Sequence, residues 1–268
     1  MESTSRGIPD PIKREVRQRC GFGCIFCGIP IYEYDHIRPW SEVKCHEAEN
    51  LTLLCPLHHS EKTKGLLPVE SVREKNSSPR NTGKTESPAH SLHFRGAEFK
   101  IHMGSVQFTQ KLSPERRCDL VEINGQPLLS VRVEGEENLL LSLTLRDAGG
   151  GDIVRILDNE LQYALDSWDV EFSGNSLTIR RERRNILARI SFRPPKILSI
   201  AKGHFLADET SVSIDRNGIS CFPGNQRIDG GIWGGEYRRG IVAWGNEYSP
   251  DRPIDASETF LLIPPGDP

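Results

Sequence analysis

The sequence predicts an α+β protein in two parts: a small module stapled by cysteine and histidine pairs, then a separate mainly-β domain. Three observations predict it. Five of the seven cysteines, Cys20, Cys24, Cys27, Cys45 and Cys55, fall in the first 55 residues and are interleaved with histidines. The same stretch reads as strand, loop, strand, helix. Beyond a polar stretch, short apolar runs separated by glycine-bearing turns take over.

Taken in order, DPIKREVRQRC (residues 10–20) reads as a short helix, with Asp10 suited to the N-cap and Pro11 to the first helical position. Lys13, Arg14, Arg17 and Arg19 give it a basic surface, either a solvated face or a contact for nucleic acid. Gly21 and Gly23 end the helix and open the turn CGFGCIFCG. IPIYEYDHI, aromatic and β-branched, reads as a strand, and LTLLC (51–55) as a second. PLHHSEKTKG (56–65) reads as a helix started by Pro56 and stopped by Gly65.

From Ser71 to about Gly96 the chain is rich in Ser, Pro, Asn and basic residues, which predicts a flexible linker. The expected boundaries are therefore a module at 1–70, a linker at 71–96 and a β domain at 97–268. Turn signals recur at Asn124-Gly125, Gly149-Gly150-Gly151, Gly174-Asn175 and Asn217-Gly218. DIVRILDNELQYAL stays open between helix and strand. The β domain is expected to be sandwich-like or, alternatively, a β-solenoid.

Composition sets limits on function. The net charge is −3, so any grip on phosphates must come from local patches. Residues 1–80 hold twelve Lys and Arg against eleven Asp and Glu. No stretch approaches the roughly 18 apolar residues of a membrane span. The N-terminus has no apolar core of a signal peptide, and the cysteine usage fits a reduced compartment, so a cytoplasmic location is expected.

Cys24-x-x-Cys27 and Cys55-x-x-His58 are two ligand pairs, each on one tight turn, which suits tetrahedral Zn²⁺. So small a unit buries little apolar surface, so structural zinc supplies folding energy. Cys20 is either an alternative to Cys24 or a bystander, and is read as a bystander. Cys45 and His46 are read as non-ligands. Asp35-His36 closes the first strand, Asn50 precedes the second, and His59 directly follows His58. Consecutive helical residues point about 100° apart, so His58 and His59 can serve two different sites.

YDHIRPW … ENLTLLCPLHHSEKTKG resembles the HNH endonuclease signature, that of the zinc-knuckle-bearing ββα-metal nucleases, over about residues 20–65. It departs at His58, where such members usually have a second cysteine. The resemblance implies a metal-dependent endonuclease hydrolysing phosphodiester bonds. His36 would be the general base, Asp35 and His59 would hold one divalent cation (Mg²⁺ or Mn²⁺), and Asn50 would orient the loop that carries His36. Lys62, Lys64 and Arg17 are candidate contacts to nucleic-acid phosphates, with an ordinary solvated surface as the competing reading.

DNA is the expected substrate, with RNA kept open, and paired cuts would need a homodimer or two visits. By family analogy the setting is a bacterial restriction or phage-defence effector. Two alternatives stand beside it: a non-catalytic zinc-containing nucleic-acid-binding module, and a nuclease held inactive until the β domain receives a ligand or protein partner. In that domain Trp168, Trp233, Trp244 and the run GGIWGGEYRRGIVAWG suggest either a recognition surface or aromatics joined by tight turns, and the second reading is favoured. The run at Ile179–Arg184 reads as a solvated strand end or turn, with phosphate contacts as the alternative.

Overall fold

The structure is a computed structural model and describes residues 7–114, 116–223, 226–245 and 259–263. The ends of the expected module and β domain, 1–6 and 264–268, lie outside the described residues. In chain order come α1 (Asp10–Arg19), β1 (Glu33–His36), α2 (Trp40–Val43), a 3-10 turn at Ala48–Asn50, β2 (Leu51–Leu54), α3 (Pro56–Thr63) and α4 (Val69–Ser77). Strands follow: β3 (His90–Ser91), β4 (Glu98–Met103), β5 (Val106–Lys111), β6 (Arg117–Ile123), β7 (Gln126–Glu134), β8 (Asn138–Arg146), β9 (Asp152–Leu157) and β10 (Glu160–Tyr163). The rest are β11 (Asp169–Ser173), β12 (Ser176–Glu182), β13 (Asn185–Arg193), β14 (Ile197–Ala207), β15 (Thr210–Asp215), β16 (Gly218–Phe222), β17 (Arg227–Ile228), β18 (Gly231–Gly235), β19 (Arg239–Ala243) and β20 (Thr259–Ile263).

The chain divides into two compact units, and the division is not a single cut. The first takes in the described residues up to His90 together with Ala164–Gly174 and Ile179–Arg184; the second takes in Ser91–Tyr163, Asn175–Thr178 and the chain from Asn185 on.

In the first unit, β1 and β2 pair antiparallel in the register Asp35 opposite Thr52 and His36 opposite Leu51. Both strands are shorter than their apolar runs. Val16, Cys20, Ile25, Ile37, Leu51, Leu53, Leu54 and Val72 form a small core, with Ile8, Ile12, Phe26 and Tyr34 packed against it. Cys20 is fully buried there, its Sγ 3.9 Å from Thr52 Oγ1, as a bystander to the metal pairs should be. The N-cap of α1 is Pro9, one residue before the expected Asp10, because Pro9 holds the extended conformation a cap requires and Asp10 is already helical. Gly65, at φ +74, stops α3 as expected, its amide donating to the Lys62 carbonyl at 3.0 Å.

The segment expected to be a flexible linker begins as helix. Pro68 caps α4, Val72 on that helix is fully buried, and the Arg80 amide donates to the Ile25 carbonyl at 2.8 Å. Polar composition hid the one buried apolar anchor of that helix, Val72.

In the second unit one sheet runs β20-β19-β6-β7-β8-β9-β10-β3. The other runs β13-β14-β15-β16-β17, with β4 parallel to β14, β5 antiparallel to β4 and β18 parallel to β5. Most neighbouring strands are antiparallel hairpins whose residues alternate buried and exposed, as in β8. This is the two-layer arrangement of a sandwich, not the stacked parallel rungs of a solenoid. A Cβ built on Gly203 of β14 would lie 3.2 Å from the Leu145 side chain of β8, so the two layers approach closely enough there that a side chain would crowd Leu145. The ambiguous DIVRILDNELQYAL is the β9–β10 hairpin. Asp158 and Asn159 both take positive φ at its turn, and Asn159 is held by the Leu141 amide and the Leu139 carbonyl. Trp233 sits on β18, half-buried and stacked on Phe108 at 5.6 Å.

Candidate active site and metal centres

The turn between Cys24 and Gly28 is closed by two backbone hydrogen bonds, Gly28 amide to Cys24 carbonyl at 2.7 Å and Cys24 amide to Ile29 carbonyl at 3.0 Å. Gly28, at φ +80, packs so tightly that an added Cβ would lie 2.3 Å from Asn81 Oδ1. Asn81 is buried and donates from Nδ2 to the carbonyls of Gly21 and Gly28 at 2.9 and 3.0 Å. It therefore ties both ends of the turn from within the supposed linker.

This turn and the start of α3 bring Cys24, Cys27, Cys55 and His58 together, with all four ligand atoms within 4.8 Å of one another. Cys27 Sγ lies 3.8 Å from Cys55 Sγ, and His58 Nδ1 lies 3.5 Å from Cys24 Sγ and 3.0 Å from Cys55 Sγ. A tetrahedral ion with bonds of about 2.3 Å to sulfur has edges of about 3.8 Å, so the donor set fits Zn²⁺. Without a cation the crowding disfavours thiolates: burial and the neighbouring Cys24 and Cys55 push the Cys27 thiol well above its ordinary value. The Phe26 ring stacks on His58 at 4.9 Å and fixes its plane. Cys45 and His46 stand apart from this group; His46 stacks on Trp40 at 4.5 Å.

The next residue, His59, faces a different set of groups. Its Nδ1 lies 2.9 Å from Glu33 Oε2 and its Nε2 lies 3.4 Å from Asp35 Oδ1. Glu33 and Asp35 are two apart on β1 and so share a face, towards α3. Asp35 is almost completely buried, and its second oxygen is bonded by the Lys62 ammonium, which also donates to the His36 carbonyl. A buried carboxylate beside an imidazole nitrogen, drawing in a cation from its own chain, is a donor pair that suits a divalent ion. Two cis ligands of a small octahedral ion lie about 3 Å apart, close to the separation of Asp35 and His59.

His36, at the end of β1, packs against the stacked pair of Trp40 and His46, at ring separations of 5.3 and 5.4 Å. Its buried Nε2 has no hydrogen-bond partner among the described residues. Burial, with the neighbouring His46 and Lys62, lowers its pKa from the ordinary 6.5; Asp35 and a backbone hydrogen bond at Cys45 oppose the shift. Asn50 clamps the loop after it: Oδ1 accepts from the Arg38 amide at 2.8 Å, and Nδ2 donates to the Arg38 carbonyl at 3.1 Å. The Ile37 amide donates to the Asn50 carbonyl at 2.8 Å, so three bonds hold that loop.

The three basic residues expected to face phosphates part ways. Arg17 is 4% exposed and engaged by Asp169, Tyr34 and Glu171, so it is a buried structural cation and not a surface contact. Its position on a basic helix suggested a surface that the fold turns inward. Lys62 is paired with Asp35, and Lys64 is exposed at the end of α3. Sequence reasoning missed Glu33, Asn81 and Asp169. Glu33 had a readable signal in its i, i+2 relation to Asp35.

Residues 18–65 match the family model of the HNH endonuclease domain. No curated protein and no solved structure matches the chain.

Proposed function

We propose that the first unit is a metal-dependent endonuclease that hydrolyses phosphodiester bonds, with DNA as its substrate. One observation carries the reading: Asp35 Oδ1 and His59 Nε2, from different elements, meet at 3.4 Å, and His36, next in sequence to Asp35, has an Nε2 without a hydrogen-bond partner among the described residues. A zinc module that only folds or binds has no use for that arrangement.

In this mechanism Asp35 and His59 would hold one divalent cation, Mg²⁺ or Mn²⁺. When bound it supplies charge stabilisation at the scissile phosphate and at the leaving 3′ oxygen. His36 Nε2 takes the proton of the attacking water, and its depressed pKa keeps it neutral for that task at pH 7. Asn50 fixes the loop that presents His36. Glu33 holds His59 by Nδ1 so that Nε2 is turned to Asp35. Lys64 offers an exposed charge to the backbone. Cys24, Cys27, Cys55 and His58 would hold structural zinc.

The setting we propose is a cytoplasmic restriction or phage-defence effector. The pairing of this unit with a second, β-rich unit that would choose a target or receive a partner supports it, as do seven cysteines outside any disulfide. No helix among the described residues is long and apolar enough to cross a membrane. The test is cleavage of plasmid, single-stranded DNA and RNA with Mg²⁺ or Mn²⁺, expected on DNA and lost in His36→Ala. Equal cutting by His36→Ala would remove the assigned base.

A further inference from the structure

Lys62 is a charged group at this site that the proposed chemistry leaves idle. Its ammonium bonds Asp35 Oδ2 and the His36 carbonyl, and both Lys62 and Asp35 side chains are 10% exposed. It stands three residues after His59 on α3, one turn along, so both groups that reach Asp35 come from the same helix face. The carboxylate meant for a divalent ion is thus already neutralised by a monovalent one.

We propose that Lys62 is a built-in competitor for the catalytic cation: it closes Asp35 as an internal ion pair, and a divalent ion binds by displacing the ammonium. The inference rests on reading Asp35 and His59 as the cation ligands. A lysine suits the role because its charge is compact and its stem is flexible, so it can leave without disturbing the helix. Once a divalent ion is on Asp35, like charge drives the ammonium outward, where a substrate phosphate is its natural partner. Cation and nucleic acid then favour each other's binding, and the site stays closed while both are scarce.

The experiment is calorimetric titration of Mn²⁺ into the zinc-loaded full chain, comparing wild type with Lys62→Gln and Lys62→Met and using His59→Ala as the site control. Loss of a largely buried charged competitor is expected to tighten Mn²⁺ binding about tenfold. A variant-free measurement accompanies it. Labelling of Lys62 by an amine-reactive ester, read by mass spectrometry, is expected to rise several-fold when Mn²⁺ saturates the protein. Unchanged or weaker binding in the variants, or unchanged labelling, overturns the inference. If that happens while His59→Ala still abolishes Mn²⁺ binding, the cation-site reading survives alone. If no form binds Mn²⁺, both fall together.

Discussion

Arg17 and Asp169, 152 residues apart in sequence, form a two-point ion pair with both nitrogen–oxygen distances at 2.8 Å. Their side chains are 5% and 3% exposed. Arg17 also donates to the Tyr34 hydroxyl at 2.7 Å, and Arg180 reaches the same Asp169 carboxylate at 2.9 Å. The strand that carries Asp35 is therefore braced, through its neighbour Tyr34, by residues that arrive from the middle of the chain. Removing one partner of a buried, hydrogen-bonded pair leaves a charge out of water and costs about 3–5 kcal/mol. Asp169→Ala should lower the unfolding free energy of the first unit by that amount, read from denaturant curves, and residues 1–90 alone, lacking Asp169, should be destabilised in the same way. A loss below about 1 kcal/mol would show the pair to be incidental.

The metal-ligand group makes a separate prediction for stability. The core of the first unit is small, and Cys24, Cys27, Cys55 and His58, with zinc bound, would cross-link its turn to its helix. Cys24→Ser or Cys55→Ser, or a strong chelator, should open the N-terminal unit to protease while the β-rich unit stays resistant. Metal analysis should find one zinc per chain in the wild type and much less in either variant. A protease-resistant N-terminal unit in zinc-free protein would contradict it.

What was legible in the sequence follows the range of the interaction. Chelation needs ligands on tight turns, so Cys24-x-x-Cys27 and Cys55-x-x-His58 announce themselves locally. The divergence of His58 and His59 follows from helical geometry alone: one ring faces Cys55 and the other faces Glu33 and Asp35. The brace from Asp169 has no local pattern, because an ion pair across 152 residues leaves no spacing to read. Arg17 was misplaced for the same reason: a basic residue on a short helix looks solvent-facing until its distant partner is known. Asn81 was hidden in polar surroundings, since a buried side chain that satisfies two carbonyls looks no different in sequence from a surface asparagine.

Asn50 permits a test of positioning apart from chemistry. Its side chain bonds both the amide and the carbonyl of Arg38, two residues after His36. Asn50→Ala should loosen that loop and lower the cleavage rate by about a hundredfold, the cost of a base displaced by about 1 Å. Mn²⁺ affinity should stay within about threefold of wild type, because Asp35 and His59 are held by other contacts. A matching loss of Mn²⁺ binding would instead mean that Asn50 supports the whole site.

The pH dependence of cleavage tests the assignment of His36. Burial lowers its pKa from the ordinary 6.5, as do His46 and Lys62, and the Asp35 carboxylate opposes them. A cation on Asp35 acts in the lowering direction too, because it cancels the carboxylate charge that favours imidazolium. The base works when neutral, so activity should be level from pH 7 upward and fall on an acid limb whose midpoint lies below 6.5. Stability carries the same sign. With the folded pKa depressed, the unfolded chain binds more protons, so the contribution is present above pH 6.5 and is lost as pH falls through the lower folded value. A pH–rate profile of the Mn²⁺-loaded protein, run at saturating metal, measures the limb directly. A midpoint above 6.5 would mean that the titrating group is not His36 in this buried setting.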